Sequence, residues 1–129
     1  MINIEIKPAY RNEPGYIKAQ GHASGAPAGQ NLVCCAVTTL IAALQTNLQD
    51  CRDIYVYGHA NSGDVDLRWN KCDRHGKGLA RARIYTDFVY QGLRGLQRNY
   101  PKDIRIRWTE PEREKGEGYD HPRGAGRRP

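Results

Sequence analysis

Apolar and polar residues alternate through Ile2, Ile4 and Ile6, the period-two signature of a strand with one buried face. The next stretch, "PAYRNEPG", supplies Pro8, Pro14 and Gly15, turn chemistry suited to a hairpin-like return. "YIKAQGHA" reads as a second strand with His22 near its end, and "SGAPAGQ" is small and irregular. From Leu32 to Leu48 the period changes to that of a helix. Val33, Val37, Leu40, Leu44 and Leu48 recur at three and four residues and form an apolar stripe. Asn31 precedes it as a favourable N-cap, because its side-chain oxygen can accept from an amide of the first turn.

"DIYVYGHANSGDVDLRWN" predicts two strands around a turn containing Asn61, Ser62 and Gly63. After a basic loop, a second helix is expected over Leu79–Asn99, with Ile84, Phe88, Val89, Leu93 and Leu96 as its buried face. "DIRIRW" predicts a last strand with Ile104, Ile106 and Trp108 on one side. The order strand, strand, helix, strand, strand, helix, strand implies a single α+β domain over residues 1–109, with both helices on one face of a sheet. Residues 110–129 are rich in glycine, proline and mixed charge and are expected to be a disordered tail.

A length of 129 residues suits one domain with one core. No apolar run approaches the roughly 18 residues of a membrane span, and "MINIEIKPAY" lacks the basic and apolar blocks of a signal peptide. A cytoplasmic location is therefore expected. The four cysteines show neither CxxC nor HxxxH spacing, which argues against zinc, and no cofactor is expected. The net charge of +6 is uneven. The last twenty residues carry five acids and five bases, so the excess lies earlier. It concentrates in "RWNKCDRHGKGLARAR", where Arg68, Lys71, Arg74, Lys77, Arg81 and Arg83 face only Asp73. Such a patch attracts nucleic acid or an acidic partner, or is simply solvated.

Cys34 and Cys35 stand side by side in the first turn of the expected helix. With Asn31 as N-cap, Cys34 takes the third helical position, where free amides and the helix dipole stabilise an anion. The thiolate is the reactive form of cysteine, so this placement suits a nucleophile. Cys35 points about 100° away around the helix, so one of the pair is expected to line a pocket while the other packs against the sheet. A thiol nucleophile needs a base, and two histidines present themselves in identical "GHA" triplets, His22 and His59. Spacing and composition do not rank them.

"GHASGAPAGQNLVCCAVTTL" resembles the signature of the bacterial ribosomal-processing cysteine proteases called Prp: a "GHA", a short variable loop and a helix beginning with cysteine. The resemblance extends over residues 1 to about 109. It implies that His22 is the general base and Cys34 the nucleophile, with Cys35 where the family usually has alanine. It implies a substrate loop running from Ala23 to Gln30, with Gly25, Pro27 and Gly29 in it and Gly21 just before it, and it counts Gly21, Ala23, Gly25 and Gly29 among the substrate-binding residues. Asn31 stands where the family usually has aspartate and Thr38 where it often has serine, so capping is kept and a negative charge is lost. The family further implies a homodimer that removes a short N-terminal extension from a large-subunit ribosomal protein, or cuts a related viral structural protein, through a thioester. First-turn amides around Cys34 and Cys35 are the expected oxyanion donors. The alternative is a catalytically weak or inactive ribosome- or RNA-associated module using Arg68, Lys71, Arg74, Lys77 and Arg81.

Overall fold

A computed structural model describes residues 1–23, 31–72 and 76–111 of the chain. Gly25, Pro27 and Gly29 of the expected loop, Asp73 and Arg74 of the basic segment, and nearly all of the expected tail lie outside the described residues.

The described residues form five strands and two helices, in the order β1 (Ile2–Lys7), β2 (Gly15–Gln20), α1 (Leu32–Gln49), β3 (Ile54–Asn61), β4 (Asp64–Lys71), α2 (Gly78–Asn99) and β5 (Ile104–Trp108). They form one sheet in the order β3-β4-β2-β1-β5. β1 pairs antiparallel with β2, β2 with β4 and β4 with β3, while β1 and β5 run parallel. The α+β expectation holds.

These pairings make both helices crossover connections, α1 from β2 to β3 and α2 from β4 to β5. The two crossovers start from antiparallel strands and travel in opposite directions across the sheet. Right-handed connection therefore puts both helices on the same face. That face carries Ile2, Ile4 and Ile6 of β1, Ile17 and Ala19 of β2, and Val65, Leu67 and Trp69 of β4, all buried. α1 closes over them with Val33, Val37, Ile41, Leu44 and Leu48. Ile41, rather than the expected Leu40, completes the stripe. Leu40 turns instead toward α2, where it packs closely on Gly92.

α2 departs further from expectation. Its inner face is Ala82, Thr86, Val89, Tyr90 and Leu93. Ile84 is 66% exposed and Phe88 75% exposed. Thr86 is tolerated inside because its hydroxyl donates to the Ala82 carbonyl at 2.7 Å, and Tyr90 packs on Trp108 with ring centroids 4.6 Å apart. A periodicity count favours the bulkier Ile84 and Phe88, whereas the geometry selects residues that fit beneath α1 and β5.

α1 is also long and apolar enough, by length and composition, to cross a membrane, a property the run-length criterion missed. Here it packs its inner stripe on the sheet as a core helix.

Candidate active site

Asn31 accepts from the Cys34 amide through Oδ1 at 3.0 Å, fixing the first turn of α1 and setting Cys34 at its third position. The same residue reaches the Ala23 carbonyl through Nδ2 at 3.5 Å, which ties the end of the β2 segment to the start of α1. The Cys34 Sγ in turn accepts from the Ala23 amide at 3.2 Å. The thiol is therefore held one peptide away from His22, twelve residues earlier in the chain.

His22 is positioned from the other side. Its carbonyl accepts from the Met1 nitrogen at 2.7 Å, and the Gly21 amide donates to the Gly63 carbonyl at 3.1 Å. The imidazole lies directly on Gly63, in the turn between β3 and β4. A Cβ built at Gly63 would overlap the ring atoms Cε1 and Nε2 and displace the exposed imidazole, and φ there is +77°, a backbone conformation that favours glycine. Among the described residues no hydrogen bond joins His22 to Cys34.

Cys34 opens into a cleft with Ile2, Ala19, Val37, Ile41 and Val65 as its buried apolar base. Thr38 and the turn Asn61–Gly63 form its more exposed rim. The structure thus brings Gly21, His22, Ala23, Asn31, Cys34 and Thr38 together. It also adds Asn61, Ser62 and Gly63, which the sequence marked only as a turn. Their one legible signal was the glycine itself.

Two expectations are corrected. Cys35 is exposed rather than packed against the sheet, because α1 sits on the sheet through Val33 and Val37. The amides of Cys34 and Cys35 are not free to receive an oxyanion. Cys34 donates to Asn31 Oδ1, and Cys35 donates to the Asn31 carbonyl at 3.0 Å.

His59 stands elsewhere. It lies on β3, and its Nε2 is 3.3 Å from Asp64 Oδ2. The other oxygen of Asp64 accepts from Gln20 at 2.8 Å. The basic segment runs through two elements. Arg68 lies on the sheet face away from the helices and donates through Nε to Asp66 at 2.9 Å. That hydrogen bond holds the Asp66 carboxyl below the usual carboxylate range and the Arg68 guanidinium above its own. Lys71 ends β4, whereas Lys77 precedes α2 and Arg81 lies in its first turn. Arg83 is held on the far side by Asp87 at 3.3 Å and by Glu110 at 3.1 Å. Among the described residues no cluster of three or more His, Cys, Asp or Glu side chains is placed to hold a metal. All four cysteines are free thiols.

The model of the family described as cysteine protease Prp matches residues 1–105. The chain belongs to that family. It is a cysteine protease by that membership, and its fold is shared by solved structures at low sequence identity. A ribosomal processing protease Prp from S. aureus with a covalently linked product peptide is 14% identical. It covers 84% of this chain and 100% of its own, with a TM-score of 0.64. The same enzyme with a substrate peptide gives 13% identity, the same coverage and a TM-score of 0.61. A protein from Streptococcus mutans is 18% identical over 86% of this chain and 96% of its own, with a TM-score of 0.60. No curated protein matches the sequence.

Proposed function

We propose that this protease hydrolyses a peptide bond with Cys34 as nucleophile and His22 as general base. The observation that carries it is the Cys34 thiol, at the positive end of α1 and bonded to the Ala23 amide beside His22. His22 takes the thiol proton, and the thiolate attacks the scissile carbonyl. The imidazolium protonates the leaving amine as the C–N bond breaks, leaving a thioester on Cys34. His22 then removes a proton from water, which attacks the thioester and releases the new carboxylate and the thiol.

Asn31 acts by capping α1 and tethering Ala23, not as a charged partner of the histidine. The Ala23 amide donates a hydrogen bond to the sulfur, which stabilises negative charge on the thiolate.

The substrate is a ribosomal-protein precursor or a viral structural protein with a similar site; a structural neighbour from S. aureus is described as a ribosomal processing protease. The location is cytoplasmic and the active form a homodimer. Self-association is favoured by Ile84 and Phe88, one helical turn apart and exposed on α2. The RNA-associated alternative is weakened by the Arg68–Asp66 pair, which engages one of its cations. Incubating the protein with the host ribosomal-protein precursor and neighbouring gene products, and reading new termini by mass spectrometry, tests the proposal. Unchanged substrates, with a Cys34 no more reactive than Cys72, would refute it.

A further inference from the structure

Among the described residues β3 is an outer strand of the sheet, paired with β4 alone. Its last four residues, Gly58–Asn61, are all exposed, and they run into the turn that rims the Cys34 cleft. We infer that this free edge is the substrate rail. On the cysteine-protease mechanism above, an extended segment of the substrate polypeptide adds to the sheet as a sixth strand beside Gly58–Asn61, which delivers its scissile bond to Cys34.

The backbone is arranged for this. Asn61 and Asp64 are register partners across a two-residue turn, so they form a hydrogen-bonded pair. Alternation along an antiparallel ladder then turns the N–H and C=O of Ala60 away from β4, toward the open side. The side chains leave room. Across the ladder on the helix side, Val65 and Leu67 are buried, while their partners Ala60 and Gly58 carry one carbon and none. Gly58 is held bare by its backbone, since φ is +102° and a Cβ would collide with the Asp66 carbonyl.

The opposite edge shows the contrast. β5 presents exposed Arg105 and Arg107, the charged guards that keep an edge from pairing with another chain. Gly58, His59, Ala60 and Asn61 include neither lysine, arginine nor proline. The cleft beyond them has an apolar base, so the guest strand is an extended segment that places an apolar side chain beside its scissile bond. Recognition by strand addition draws its affinity from main-chain hydrogen bonds. It therefore selects chain ends and linkers over folded segments.

Ala60→Pro tests this, because proline removes the outward N–H without removing a bond to β4. Cys34 alkylation is followed with two reagents, iodoacetamide and a tripeptidyl chloromethyl ketone bearing apolar side chains. The substitution is expected to slow the peptidyl reagent about tenfold relative to iodoacetamide, the loss of roughly one directed hydrogen bond. With the wild-type protein, N-methylation of the peptidyl reagent should slow labelling only at alternate residues, a readout that stands even if Ala60→Pro does not fold. An unchanged reagent ratio in a folded Ala60→Pro protein, or N-methyl effects without period two, overturns the inference. Failure of the peptidyl reagent to prefer Cys34 over Cys35 and Cys72 in the wild type overturns the protease mechanism itself, and the strand rail with it.

Discussion

The Cys34 thiol accepts a hydrogen bond from the Ala23 amide at 3.2 Å, so the sulfur is held by the backbone of the residue that follows His22. Removing the sulfur is expected to be decisive. Cys34→Ala should abolish cleavage, whereas Cys35→Ala should retain most of it, since Cys35 is exposed and turned from the cleft. Cleavage of a substrate peptide, followed by mass spectrometry, distinguishes the two. Loss of activity on changing Cys35 alone would reverse the assignment.

Gly63 supports the imidazole of His22. Gly63→Ala must place a Cβ where the ring now lies and hold alanine at a φ of +77°. The left-handed conformation alone costs roughly 1–2 kcal/mol. A fall in melting temperature should therefore accompany a loss of kcat that exceeds any rise in KM. His59→Ala, by contrast, removes only an exposed contact to Asp64 and should change turnover little. Equal losses from His22→Ala and His59→Ala would contradict the placement of the base.

Asn31 caps α1 and tethers Ala23. Asn31→Ala should destabilise the protein by about 1 kcal/mol, as expected for a lost N-cap, and lower activity as well. Asn31→Asp keeps the accepting oxygen and adds a negative charge at the positive helix end, worth about 0.3–1 kcal/mol. Denaturant unfolding should place Asp at or above the wild type and Ala below it. Restored capping without restored cleavage would show that the Nδ2 contact to Ala23 matters to the site separately from the cap.

Ile84 and Phe88 are expected to lie in the contact between two copies of the chain. Phe88→Asp should shift the sedimenting species from dimer to monomer while leaving the fold intact, because the side chain is 75% exposed. A wild-type protein that sediments as a monomer at all concentrations would remove the dimer proposal.

Asp66 provides a pH-dependent contribution to stability. Its carboxyl is held below the ordinary range by the Arg68 hydrogen bond, so the unfolded state binds a proton at a higher pH than the folded state does. The contribution is complete above the unfolded value of about 4 and disappears as pH falls through the lower folded value. Both side chains are about a third exposed, at 33% and 36%, which limits the effect to a fraction of a kcal/mol. Asp66→Asn should lower stability slightly at pH 7 and not at pH 2 in thermal melts; an equal loss at both pH values would count against this origin.

The amino-acid sequence by itself determined the seven elements, because alternation at Ile2, Ile4 and Ile6 and the three-and-four spacing from Val33 to Leu48 are local properties of strand and helix. It also determined the capped thiol, since Asn31 and Cys34 lie within one helical turn. Family resemblance, rather than spacing, singled out His22 over His59.

Only the tertiary structure decided the rest. Ile84 and Phe88 satisfy the helical period as well as Val89 and Leu93 do. Which pair is buried depends on how α2 rotates against α1 and β5, and no local pattern specifies that rotation. The amides of Cys34 and Cys35 lost their expected role because Asn31 uses them. Gly63 and Ala60 read as an ordinary turn and strand until the sheet order put the β3–β4 hairpin beside β2 and the start of α1. A residue gains such a role from neighbours some forty positions away in the chain. That proximity is created by packing, not by sequence spacing.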